Sequence, residues 1–242
     1  MILENATMAE FTKHLKKTKT IIFPFGTVEE HGRHLPLNTD TLIVYELLKR
    51  AAKKRKVFVA PPVYYGVCTS TKQHPGTISI TPETLRRLTI DIVKDAFQKG
   101  LRNFILITGH GGGIHNYALK EAGEILIEEL NGIKIAALSP YELLLKEFSK
   151  LVDTPNDSHA GELETSLVLC LAPELVKGRS KEEYPELPRP FIVKNKLKYW
   201  RGGVWGNPQK ATREKGEKAA QLIIKKVIDI IDRIERKGES FL

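Results

Sequence analysis

Hydrophobic and polar positions along this chain fall into two alternating patterns. Short apolar runs, Ile21-Ile22-Phe23-Pro24-Phe25, Val57-Phe58-Val59-Ala60, Asn103 to Thr108 and Lys134 to Leu138, have the length of strands buried on both faces. Between them lie segments with apolar residues at helical spacing. Thr7 and Glu10 form a capping box that opens a first helix ending before Ile21. A second helix runs from about Asp40 to Lys53. Thr81 caps a third, Pro82 occupies its first position, and its pattern continues to Lys99 before Gly100. A fourth spans Ile114 to Leu130 and stops at Asn131-Gly132. The last, roughly Ala211 to Lys237, carries Ala219, Leu222, Ile223, Val227, Ile230, Ile231 and Ile234 as a stripe that is core or a subunit contact.

Strands alternating with helices predict an α/β fold: one three-layer α/β/α domain over residues 1–242 with a mainly parallel sheet. Between Pro173 and Pro208 the pattern breaks up around Pro185, Pro188, Pro190 and Gly202-Gly203, which predicts loops and short strands over the mouth of a site. Trp200 and Trp205 lie in this segment and read as packing or interface residues.

Composition narrows the class. With 242 residues, 41% of them hydrophobic, the chain can bury a substantial core. Cys68 and Cys170 are far apart, form no Cys-x-x-Cys unit and have apolar neighbours, so they read as reduced core residues of a cytosolic protein. No apolar run approaches the ~18 residues of a membrane span, and no secretory h-region is visible, so the expectation is a cytoplasmic protein without a membrane partner. The net charge of +9 and runs such as Lys53-Lys54-Arg55-Lys56 raise nucleic-acid binding as a function. The lysines are interspersed with glutamates, few aromatics accompany them and no binding motif does, so they read as solvated faces. A phosphorylated small substrate stays compatible with that charge.

The chemistry concentrates at two strand ends. Glu29 and His31 follow the first strand and, two apart on extended chain, share a face. Asp40 ends the same Gly/Pro-containing loop at a helix entry, and His110 follows the third strand within Thr108-Gly109-His110-Gly111-Gly112-Gly113. In open α/β sheets the carboxyl ends of strands are where ligands bind. Two imidazoles and two carboxylates suit one or two divalent ions, Zn, Mn or Fe. The two oxygens of Asp40 allow it to bridge a pair, and a water held there becomes a hydroxide near neutral pH. Rival readings of the glycines fail on the page. Ile114 stands where a dinucleotide fingerprint needs its third glycine, and no Gly-x-Ser-x-Gly elbow accompanies the His-Gly-Gly-Gly string. The glycines can still let backbone amides approach a substrate oxygen, helped by the dipole of the helix that follows.

From Gly26 to Asp40 the chain resembles the creatininase (creatinine amidohydrolase) family, whose signature reads Gly-x-x-Glu-x-His-Gly-x-His-Leu-Pro-Leu-x-x-Asp. The resemblance continues in His74 to Ser79, Gly109 to Gly112, His159 to Ser166 and Gly206-Asn207-Pro208 with the residues after it. It implies that Glu29 and His110 hold one ion, His31 the other, and that Asp40 bridges them. Creatininase has a glutamate two residues beyond the second-segment histidine, where this chain has Gly112, so another residue must supply that ligand. Glu162 and Glu164 are the candidates. Glu164 shares a buried-looking face with Leu167, Val168 and Leu171, which favours it as ligand or orienting group; Glu162, three residues after His159, would share that histidine's face if His159 starts a helix. His159 and Glu162 are the catalytic candidates, His159 as general base or acid.

The resemblance implies a metal-dependent hydrolase of a non-peptide C–N bond in a small-molecule amide, cyclic amide or formamide. One alternative is a deformylase acting on a pyrimidine nucleotide in flavin or deazaflavin synthesis; a basic nucleic-acid-binding protein is a weaker one. It also implies a homo-oligomer, hexamer or dimer.

Overall fold

A computed structural model describes residues 1–236. Its sheet holds four parallel strands in the order β2-β1-β3-β4: β1 Thr20–Phe25, β2 Phe58–Val59, β3 Asn103–Thr108 and β4 Lys134–Leu138. The helices are α1 Met8–Leu15, α2 Thr39–Ala52, α3 Pro82–Gln98, α4 Gly113–Glu129, α5 Pro140–Leu143, α6 Leu145–Leu151, α7 Glu162–Leu171 and α8 Arg213–Glu235. This is the α/β architecture expected. The predicted end of the last helix at Lys237 lies outside the described residues.

The two central strands are buried on both faces, and their side chains divide with the period of two that extended chain imposes. Ile21, Phe23 and Phe25 with Phe104 and Leu106 pack under α3 and α4 through Leu85, Val93, Leu119 and Leu126. Ile22 with Ile105 and Ile107 faces the opposite layer, built by α2, α7 and α8. The stripe on α8 is core in its Ala219, Ile223, Val227, Ile231 and Ile234 positions. β2 is shorter than its apolar run because it lies at the sheet edge and pairs with β1 at Ile21 and Ile22 alone.

One local feature resolves a possibility that the sequence left open. His159 does not start α7. The Asp157 carboxylate accepts the amide hydrogens of Glu162 (2.7 Å) and Leu163 (2.9 Å), so it caps a helix that begins at Glu162. Ala160 in between has φ of 47°, outside helical space. His159 is instead bridged to Trp205 of the irregular segment, which runs through 3-10 turns and isolated bridges.

Candidate metal centre

The register of the sheet brings Phe25 opposite Thr108, so the chain leaves β1 and β3 side by side at their carboxyl ends. From there the β1 loop delivers Glu29 and His31, and the second residue of α2 delivers Asp40. Close backbone approach fixes the junction. A Cβ on Gly109 would lie 2.1 Å from the Asp40 carbonyl oxygen, so only glycine lets the end of β3 pack against the first turn of α2. That contact sets His110 beside Asp40.

Each oxygen of Asp40 faces a different imidazole: Oδ1 is 3.2 Å from His31 Nε2 and Oδ2 is 2.9 Å from His110 Nδ1. Glu29 Oε2 also lies 2.9 Å from His110 Nδ1, and Glu164 Oε2 lies 3.7 Å from His31 Nε2. Donor atoms of His31, Asp40 and Glu164 all come within 4.8 Å of one another, as do those of Glu29, His31 and His159. Surrounding groups hold the cluster. Thr27 Oγ1 donates to Asp40, Thr71 Oγ1 donates to Glu29, and the Ala160 amide donates to Glu164 Oε2 at 2.6 Å. His31 Nδ1–H donates to the Glu29 carbonyl at 3.1 Å, which leaves Nε2 as the nitrogen presented to the carboxylates.

Electrostatics say what this cluster needs. Burial works against charge on His31, but Asp40, Glu164 and Glu29 outweigh it and raise its pKa to about 10. His110 rises well above its ordinary value against burial for the same reason, through Glu29 and Asp40. Burial would raise Glu29, yet the His110 charge and contact pull it to about 2. Three buried carboxylates thus demand positive charge among them. Divalent ions fit the same nitrogen and oxygen donors, with one carboxylate placed to serve two.

Five expected ligands, Glu29, His31, Asp40, His110 and Glu164, converge, and His159 joins them. Its ring centroid is 4.3 Å from that of His31, and its Nε2–H donates to the Glu30 carbonyl at 2.9 Å. Glu162 does not join, which corrects its candidacy as a catalytic residue. Its carboxylate accepts from the amides of Asp153 and Thr154, from Thr154 Oγ1 and from Lys215 Nζ. Burial is outweighed by these contacts, which hold its pKa below the ordinary value and its charge in a structural network. The glycine at 112 has a steric reason: a Cβ there would lie 2.2 Å from His110 Nε2.

The cluster forms one wall of a cavity of about 570 Å³ at the carboxyl edge of the sheet, closed by Trp200, Trp205, Tyr141 and Phe148. The sequence reads both tryptophans as packing or interface residues. Trp200 is indeed buried, but its ring meets His159 edge-on at 5.3 Å and Trp205 at 6.0 Å, so the pair shapes the site. Thr27, Thr71 and Glu30 went unnoticed. A lone threonine carries no spacing signal, and Thr71 reaches Glu29 across 42 residues of sequence.

The family model for creatinine amidohydrolase matches residues 4–231. Among similar proteins, a creatinine amidohydrolase of Pseudomonas putida is 25% identical over 87% of this chain and 88% of its own. A mycofactocin precursor peptide peptidase of Mycolicibacterium smegmatis is 30% identical over 89% of this chain and 84% of its own. A 3-dehydro-scyllo-inosose hydrolase of Thermotoga maritima is 28% identical over 96% and 82%. A crystal structure of creatinine amidohydrolase superposes with a TM-score of 0.85 at 23% identity, covering 98% of both chains. So do a zinc–zinc form of a mutant creatininase (TM-score 0.86, 23% identity, 97% and 98% covered) and a manganese form (0.83, 24%, 97% and 99%).

Proposed function

The chain belongs to the creatininase family, and on that premise we propose that it is a metal-dependent amidohydrolase that cleaves an amide-type C–N bond with one or two divalent ions, Zn, Mn or Fe. The observation that carries this reading is the meeting of two imidazoles and three carboxylates around a shared Asp40 on a cavity wall. When bound, such ions supply Lewis-acid charge and a water acidified toward neutral pKa.

The remaining work falls to the chain itself. Glu29, Asp40 and His110 form one position; His31, Asp40 and Glu164 form the other. His159 Nε2 is committed to the Glu30 carbonyl, so Nδ1 is the atom free to take a proton and return it to the leaving nitrogen. Gly111 and Gly112 line the cavity just ahead of α4, where peptide amides and the helix dipole favour a developing oxyanion.

None of the described residues lining the cavity is Lys or Arg, which favours a substrate without a phosphate at the reacting end over a nucleotide formamide. The names of the relatives span creatinine, a precursor peptide and 3-dehydro-scyllo-inosose, so the substrate itself is a matter for a panel. We take residues 1–242 as one domain, working in the cytoplasm as a homo-oligomer.

The test is metal analysis of the purified protein followed by hydrolysis of cyclic amides, formamides and short peptides. At least one Zn, Mn or Fe per chain is expected, with turnover lost in Asp40→Asn while the circular dichroism spectrum is kept. Full turnover in Asp40→Asn, or in chelator-stripped protein, would overturn the reading.

A further inference from the structure

Cys68 has gone unused so far. It lies in the loop after β2, buried, and its spacing marks it as nothing more than core. In space, its Sγ, a Glu29 oxygen and a His110 ring nitrogen all lie within 4.8 Å of one another. Bond lengths to a zinc-like ion are about 2.3 Å from sulfur and about 2.0–2.2 Å from nitrogen or oxygen, so three such atoms can meet on one ion with small side-chain rotations. A second observation points the same way. Glu29 is 2% exposed, yet its Oε2 accepts no hydrogen bond of good geometry, although the His110 ring nitrogen lies 2.9 Å away as an ion-pair contact.

A count of donors favours an ion there. With Glu164 in the His31 position, the Glu29–His110 position has Glu29, Asp40 and His110, one donor short of a tetrahedral set. Building on the metal-centre reading above, we propose that Cys68 supplies the fourth, as a thiolate. As the sulfur–metal bond forms, the thiol proton leaves to solvent. The two positions then differ in kind. One has sulfur, nitrogen and two carboxylates; the other has the nitrogen of His31 and the carboxylates of Asp40 and Glu164, with no sulfur. The softer position retains zinc-like ions, and the harder one exchanges its ion more readily.

Cobalt(II) added to the metal-free full-length protein tests this. Visible ligand-field bands report that the ion has entered the cluster; a near-ultraviolet thiolate-to-cobalt charge-transfer band reports sulfur. Cys170 belongs to no candidate ligand group among the described residues, so it offers no competing signal. The expectation is both bands in the wild type, the charge-transfer band saturating at the first equivalent. Cys68→Ser and Cys68→Ala should keep the visible bands, lose the other, and hold their tightest zinc at least about tenfold more weakly against a chelator. Visible bands without charge transfer in the wild type would overturn the thiolate and leave the metal centre standing, whatever the variants do. A charge-transfer band surviving in Cys68→Ser would overturn it too. No bound cobalt at all would overturn the metal-centre reading itself.

Discussion

His115, on the first turn of α4, shows how a single side chain can support the site without entering it. It is fully buried: its Nδ1 accepts the Val67 amide hydrogen at 3.1 Å, its Nε2 lies 3.1 Å from Thr108 Oγ1, and its ring stands edge-on to His110 at 5.2 Å. Burial, aided by the charge of His110, lowers its pKa to about 3. The unfolded value is about 6.5. Above that pH the ring is neutral in both states; below it, the unfolded chain gains a proton that the folded chain refuses until about pH 3. Stability therefore declines as pH falls through this window, by about 1.4 kcal/mol per pH unit once the unfolded ring is protonated. The raised pKa values of His31 and His110 contribute their stability in full below about pH 6.5 and lose it only as pH rises above that, so they do not mask the effect. In metal-free protein, urea unfolding between pH 6.5 and 4.5 should show a shallower loss of stability for His115→Gln than for the wild type. Equal slopes would mean that His115 is protonated in the fold. No spacing rule distinguished His115 from His110, because what separates their roles is a carboxylate on one ring and an amide hydrogen on the other.

At the scale of elements, the expected strands and helices were legible because their apolar spacing is a direct consequence of being covered on both faces. Thr81-Pro82 and the Thr7–Glu10 box are local and appear as read. The start of α7 was not legible: its cap, Asp157, acts from five and six residues away around a positive-φ Ala160. Likewise the motif residues Glu29, His31, Asp40 and His110 were readable, but the reason Gly109 stands beside them was not, since it depends on where α2 docks. That docking can be probed. In Gly109→Ala the new methyl would lie 2.1 Å from the Asp40 carbonyl oxygen and 2.9 Å from its carbonyl carbon, both backbone atoms that cannot rotate away. The expected cost is about 1–3 kcal/mol. For a chain of this length that lowers Tm by roughly 2–4 °C per kcal/mol. Metal content should fall as well, because Asp40 and His110 move apart. Gly111→Ala is the control, as nothing lies within 4 Å of a Cβ there. If both variants melt and bind metal alike, the close approach of β3 to α2 is not what holds the cluster together.

For the whole molecule, the charge of +9 and the apolar surface pull toward different partners, and the cavity decides between them. Its described lining has no Lys or Arg, so the basic residues lie on outer faces rather than around a polyanion site. The apolar surface is more specific. Ile192 is 97% exposed and Phe191 77%, both in the irregular segment that also sends Trp200 and Trp205 into the cavity wall. Leu145, 68% exposed, lines the same cavity from α6. A scattered exposed leucine needs no explanation, but adjacent large side chains on a segment that shapes a site do. Docking another copy of the chain there would bury Phe191 and Ile192 and fix the tryptophans over the metal cluster. It would also exclude water from the reacting centre, where electrostatic stabilisation gains most. The expectation is a homo-oligomer, with a hexamer first and a dimer next. Light scattering on the wild type should return a multiple of the 27.3 kDa chain mass. The double variant Phe191→Asp with Ile192→Asp should shift the mass toward the monomer and lower kcat, because the segment loses its backing. It should leave bound metal unchanged, since neither residue touches the cluster. A fully active, monodisperse wild-type monomer would show that the segment closes the cavity without help from a second copy.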